Sequence, residues 1–215
     1  MPLSPESSLE LSVASIEEKT TAIIDELIDS LPDAKQLSGE ERRGIIARYT
    51  SVLEGNFIYW MTAAVIAAKT EQSQAILLEN LVDEVRDAHP LMLRKFAMAA
   101  HAFPTDHDFL AVHDDLTRVR QFMGRLSTVK VVLTMGFFEG FIQKFMPYLA
   151  YLARQQGSTE MEYTDVHGVC DIEHTEELFK VLAAEMAVAP PEADADLFEG
   201  VSLLRTLIEH VIRPT

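Results

Sequence analysis

The stretch Glu162-Tyr-Thr-Asp-Val-His-Gly-Val-Cys-Asp-Ile-Glu-His-Thr175 sets His167, Asp171 and His174 at positions i, i+4 and i+7. At about 100° per residue, an α-helix projects all three from nearly one face over roughly two turns. Two imidazoles and a carboxylate on one face suit iron, manganese or zinc, and they hold one ion or supply half the donors of a two-metal site. One stripe rarely completes a site, so further donors are expected from other segments.

The rest of the chain also reads as helix after helix. Glycine and proline number only nine each among 215 residues, and no stretch alternates strictly enough to argue for a sheet. The first amphipathic helix is expected from about Ser15 to Ser30. Ser38-Gly-Glu-Glu41 is a capping box that opens a long second helix toward Lys69. Thr70 caps a third, kinked at His89-Pro90. Pro104-Thr105 opens a fourth reaching Arg125, and a fifth runs from Ser127 to Gln156, ended by Gly157. Ser158-Thr-Glu-Met161 begins the sixth, and Ala189-Pro-Pro191 separates it from a seventh ending near Arg213. Seven helices with short links predict an all-α bundle. Neither a repeat nor a low-complexity linker divides it, so one domain over residues 1–215 is expected, with about 1–14 a flexible N-terminal segment.

Composition narrows the function classes. The chain is 48% hydrophobic without a run of about 18 apolar residues, so no membrane span is expected. Met-Pro-Leu-Ser-Pro-Glu-Ser-Ser8 has neither a basic nor an apolar signal region, and the expected location is the cytoplasm. A net charge of −16 repels a phosphate backbone, so nucleic acid is not an expected partner. The single cysteine, Cys170, excludes an internal disulfide and a Cys-based structural zinc site. Lying three residues after His167, it reads as a small buried neighbour rather than a nucleophile.

Acids inside apolar runs supply more donors, because a carboxylate aimed at a core is costly unless paired or metal-bound. Glu139 stands in Val131-Val-Leu-Thr-Met-Gly-Phe-Phe-Glu-Gly-Phe-Ile-Gln-Lys-Phe-Met146, with a salt bridge to Lys144 or Arg125 as its alternative. Glu54, in Tyr49-Thr-Ser-Val-Leu-Glu-Gly-Asn-Phe-Ile-Tyr-Trp60, has the same character, or else lies on a polar helix face. Glu84 and His89 are five residues apart, about 140° on a regular helix. A π-bulge beside Pro90 brings such a pair onto one face. Glu79 is the alternative to Glu84, though about 15 Å from His89 along a regular helix. His101, His107 and His113, beside Asp106, Asp108, Asp114 and Asp115, read as solvated loop and cap residues, and His210 as a cation at a helix C-terminus.

In this order, Glu54, then Glu79-Asn-Leu-Val-Asp-Glu84 followed by His89, then Glu139, then His167-x3-Asp171-x2-His174, the chain resembles the haem-oxygenase-like diiron oxidases and oxygenases, whose superfamily includes the TenA-like proteins. The resemblance covers about residues 50 to 175. It implies a seven-helix haem-oxygenase-like fold without haem that holds two iron ions, with manganese possible in one position. The ligands it implies are Glu54, Glu84 or Glu79, His89, Glu139, His167, Asp171 and His174. The family's third-helix motif often has six residues between its Glu and His, whereas four separate Glu84 from His89.

Two ferrous ions in such a site each give one electron to O2 without an organic cofactor. The implied reaction is N-oxygenation, or oxidative C–C or C–N cleavage, of a small amino-acid-derived substrate. Tyr59, Phe138 and Tyr163, with Phe57, Trp60 and Phe141, are candidates to line its pocket or are plain core. Arg94, Arg120, Lys130 and Lys144 are candidates to engage its carboxylate. Two other readings stand beside this one: a TenA-like hydrolase of thiamin fragments using Cys170, and a non-catalytic or self-sacrificing iron-binding bundle. Pairing into a homodimer is common among related bundles.

Overall fold

The computed structural model describes residues 12–192 and 195–214. The expected flexible start therefore falls mostly outside the described residues. Within them, Ser12 already caps the first helix by accepting from the Ser15 backbone N–H.

Ten helical segments and no strand occur among the described residues. Four are close to expectation: α1 (Val13–Asp29), α8 (Thr128–Gln155), α9 (Glu162–Val188) and α10 (Glu199–Ile212). The three others each break once. The second helix divides into α2 (Gly39–Leu53) and α3 (Asn56–Ala67), and the third into α4 (Glu71–Arg86) and α5 (His89–Ala99). The fourth divides into α6 (Asp106–Leu110) and α7 (His113–Met123). Seven expected helices thus become ten segments along the same path.

The start signals act as their chemistry predicts. Ser38 and Glu41 form the full capping box of α2, and the Thr70 hydroxyl accepts from the Ser73 N–H at the start of α4. Thr70 has a second role. Its hydroxyl and backbone N–H, with the Lys69 N–H, donate to the carboxylate of Glu185 on α9, so α9 caps α4 across the bundle.

The two long helices α8 and α9 form the spine. The six residues 156–161 join them, and they pack along their lengths. The match of Gly140 with Thr175, and of Gly136 with Leu178 and Phe179, shows that they run antiparallel. Phe137, Phe138, Phe141 and Phe145 of α8 are fully buried with Trp60, Phe96 and Phe122. Close approach at Gly200 lets α10 lie on this layer, since a Cβ there would sit 2.1 Å from Thr134 Oγ1 and 2.4 Å from Phe122. The resulting core joins residues from α1 to α10, and the polar exceptions inside it form the centre described next.

Candidate metal centre

Six residues converge in the core through their side chains, and no residue among them is more than 6% exposed: Glu84, His89, Glu139, His167, Asp171 and His174. Glu139 comes from the middle of α8. His167, Asp171 and His174 come from one face of α9, as the i, i+4, i+7 spacing requires. The remaining two come from either side of the α4–α5 break.

That break replaces the expected π-bulge. Helix α4 ends at Arg86, Ala88 adopts a left-handed conformation (φ 57°), and His89 starts α5 with Pro90 directly behind it. Proline is favoured at a helix start, where its missing N–H has no partner to lose. The reversal carries the His89 ring back over α4, so His89 Nδ1 lies 2.7 Å from Glu84 Oε1. A spacing of four intervening residues is therefore sufficient, with the left-handed residue taking up the rotation.

Glu84, His89 and His167 each offer a donor atom within 4.8 Å of the others, and so do Cys170, Asp171 and His174. Donors on opposite sides of a transition ion, at about 2.1 Å each, lie roughly 4 Å apart, so both groups match the span of a coordination sphere. Glu139 joins the second group, its Oε1 3.8 Å from His174 Nδ1. The rings of His89 and His167 meet edge to face with centroids 4.4 Å apart, which brings the first group's imidazoles together. His167 Nδ1 lies 2.8 Å from the Tyr163 carbonyl. As the donor to that carbonyl it fixes the tautomer and leaves Nε2 free as a ligand.

The electrostatics favour a cation. No lysine or arginine pairs with the three acids among the described residues. Lys144 and Arg125, the alternative partners of Glu139, bind Asp25 and Glu199 instead. Burial pushes the Glu139 carboxyl well above the ordinary range, aided by the negative charges of Asp171 and Glu84. Burial also raises Asp171, again aided by Glu84. His167 is pulled down to about 4, chiefly by burial, and so is neutral and able to ligate at neutral pH. At His89 burial acts downward, but the hydrogen bond and charge of Glu84 outweigh it and raise the pKa. Glu139 Oε1, Asp171 Oδ2 and His174 Nδ1 are buried without a hydrogen-bond partner among the described residues. Buried polar atoms are nearly always paired. Three unpaired ones on a shared cluster of acids and imidazoles fit a bound divalent ion.

The other candidates lie elsewhere. Glu54 ends α2, whose regular turns stop at Leu53. Gly55 (φ 82°) then redirects the chain, and the Glu54 carboxylate pairs with Arg94. Glu79 is exposed on α4, leaving Glu84 as the acid at the centre. Tyr59 is 46% exposed, Phe138 packs against Phe57 and Trp60 as core, and Tyr163 does line the pocket at the centre. Arg120 is held by Asn56 and Lys130 by Glu199. Cys170 is part-exposed rather than buried, and its thiol donates to Asp171. Burial and the Asp171 charge raise its pKa strongly, so it is not poised as a thiolate nucleophile. His101, His107 and His113 are exposed, and His210 contacts Asp115.

Sequence reasoning missed two contributors. Tyr49 shares a buried 2.8 Å hydroxyl contact with Tyr163, and the Tyr163 carbonyl orients His167. The second was findable, since residue i−4 of a helical ligand presents its carbonyl to the ligand's side chain.

With fold and centre in view, the chain belongs to the family of iron-containing redox enzymes, whose model matches residues 47–207 and thus all six converging side chains. It is an oxidoreductase of the all-α haem-oxygenase-like fold. No curated protein and no solved structure matches the chain. No described helix is long and apolar enough to cross a membrane.

Proposed function

We propose that the chain is a non-haem diiron oxygenase or oxidase that uses O2 to oxidise a small amino-acid-derived substrate, by N-oxygenation or by oxidative C–C or C–N cleavage. The observation that carries this reading is the set of unpartnered buried donors: Glu139, Asp171 and His174 on one side, facing Glu84, His89 and His167 on the other. Two imidazole–carboxylate groups, rather than one axial histidine above an open slot, favour two ions over haem. Iron bound there supplies electrons to O2, and manganese in one position remains compatible with the same donors.

The chain's own residues provide the setting. The Tyr163 carbonyl holds His167 in one tautomer, while Glu84 holds the ring of His89. Leu53, Phe57, Leu93 and Ile142 line the pocket and exclude water from it. The Tyr163 hydroxyl, kept neutral by burial, can hold a proton at the edge of that pocket. Glu54 joins the donor set only by leaving Arg94. A cytoplasmic location and a homodimer accord with this reading, with the substrate and O2 as the small-molecule partners.

Metal analysis of the purified protein, followed by anaerobic reloading with ferrous ion and exposure to O2, tests it. The expected result is close to two irons per chain, no haem absorbance, and rapid O2 uptake that depends on iron. Stoichiometric haem, or iron content unchanged when Asp171 and His174 are both replaced by alanine, would sink the proposal.

A further inference from the structure

The six central donors are buried, and the pocket where Leu53, Phe57 and Ile58 line up with Pro90 and Leu93 reaches four of them, Glu84, His89, Glu139 and His167. The residues directly after Leu53 and Leu93 are Glu54 and Arg94, and they bind each other: Arg94 Nε donates to Glu54 Oε1, joining the α2–α3 break to α5, the two places that supply Leu53 and Leu93 to the pocket. We infer that Arg94 is the anchor for a carboxylate on the substrate, and that Glu54 is a built-in stand-in for it. The inference deepens the proposed function, resting on it for the place where oxidation occurs.

Four observations carry it. Arg94 is the one of the four basic candidates that directly follows a residue lining this pocket, Leu93, whereas Lys144 lines a separate pocket beside Asp171. Its planar guanidinium already holds a carboxylate, the group it recognises best. The pair is cheap to open, because the Arg94 side chain is 52% exposed and exposed ion pairs add little net stability. Finally, Gly55 follows Glu54 with a positive φ of 82° and nothing within 4 Å of where a Cβ would sit, so a residue of wide conformational freedom adjoins Glu54 as it moves aside. An incoming carboxylate replaces Glu54 like for like, and its loss of water is offset by the return of the Glu54 carboxylate to water. The apolar lining of the pocket is Leu53, Phe57, Ile58, Leu93 and Ile142, so the favoured ligand is a carboxylate with an apolar body.

Calorimetric titration of the full, metal-free chain with 3-phenylpropanoate, and with neutral 3-phenylpropanamide, tests this apart from redox activity. The inference expects the acid to bind at least tenfold more tightly than the amide. Arg94→Gln abolishes that preference, Arg94→Lys restores part of it, and Glu54→Gln strengthens acid binding severalfold by removing the rival. Equal affinity of wild type and Arg94→Gln for the acid overturns the inference. So does failure of Glu54→Gln, in which Arg94 has no rival, to bind the acid. Circular dichroism checks that each variant is folded. Iron content of the same preparations separates the two ideas: a chain that takes up iron but ignores carboxylates keeps the redox reading and loses the anchor.

Discussion

Single residues at the centre trade stability for chemistry. Asp171 is wholly buried with Oδ2 unpartnered, and an acid in that position destabilises the metal-free fold unless it gives up its charge. Asp171→Asn is therefore expected to leave the metal-free protein as stable as wild type, or about 1 kcal/mol more stable, while iron retention falls sharply. Urea midpoints and metal analysis check the two halves. Glu185 is the opposite case, a buried acid fully used. Burial acts to raise its pKa, but hydrogen bonds from Ser73, Lys69 and Thr70 outweigh that and lower it below the ordinary 4.5. A lowered folded-state pKa gives stability that is complete above the unfolded value and lost as pH falls through the folded one. Glu185→Ala should cost about 2–3 kcal/mol at neutral pH, and the gap from wild type should close in urea melts as pH drops below about 4.5. Glu139 was legible in the sequence because aromatic residues surround it on both sides. Glu54 was not, because its partner Arg94 is 40 residues away and local pattern carries no trace of such a pairing.

At the level of elements, caps were readable and breaks were not. Ser38 with Glu41, and Thr70, act through residues three positions on, so a short window reveals them. The division of α4 from α5 depends instead on what His89 meets in the folded core, and Ala88 takes a left-handed conformation without being glycine. A non-glycine residue there costs roughly 1–2 kcal/mol, of which a glycine would return part to chain entropy. Ala88→Gly should stabilise the protein by about 0.5–1 kcal/mol, measured by urea denaturation, with iron content intact. A loss of stability would mean that the strain attributed to this turn is absent. The same logic explains why seven periodic helices became ten segments: hydrophobic period marks which residues are helical, whereas tertiary contacts decide where the axis changes direction.

For the whole molecule, helix start and stop signals gave the bundle, and the donor pattern named His89, Glu139, His167, Asp171 and His174, with Glu84 ahead of Glu79. The turn at Ala88 that joins Glu84 to His89, in place of a π-bulge, needed the fold. Because the centre ties α4, α5, α8 and α9 together, an ion bound there stabilises the native state as a ligand does. At about 100 times its dissociation constant, that contribution is about 2.7 kcal/mol, or roughly 5–10 °C in a chain of this size. Anaerobic ferrous ion should raise the melting temperature by that amount in scanning calorimetry, and a chelator should reverse it. An unchanged transition would remove the centre from the molecule's energetics. Stiffness, however, is shared unevenly around the core. Glu139, Asp171 and His174 ride on two long rods locked side by side, while Glu84 and His89 hang from a bent joint at Ala88. Whatever settles between them is gripped by one wall and only met by the other, so thermal jostling should loosen the α4–α5 side first.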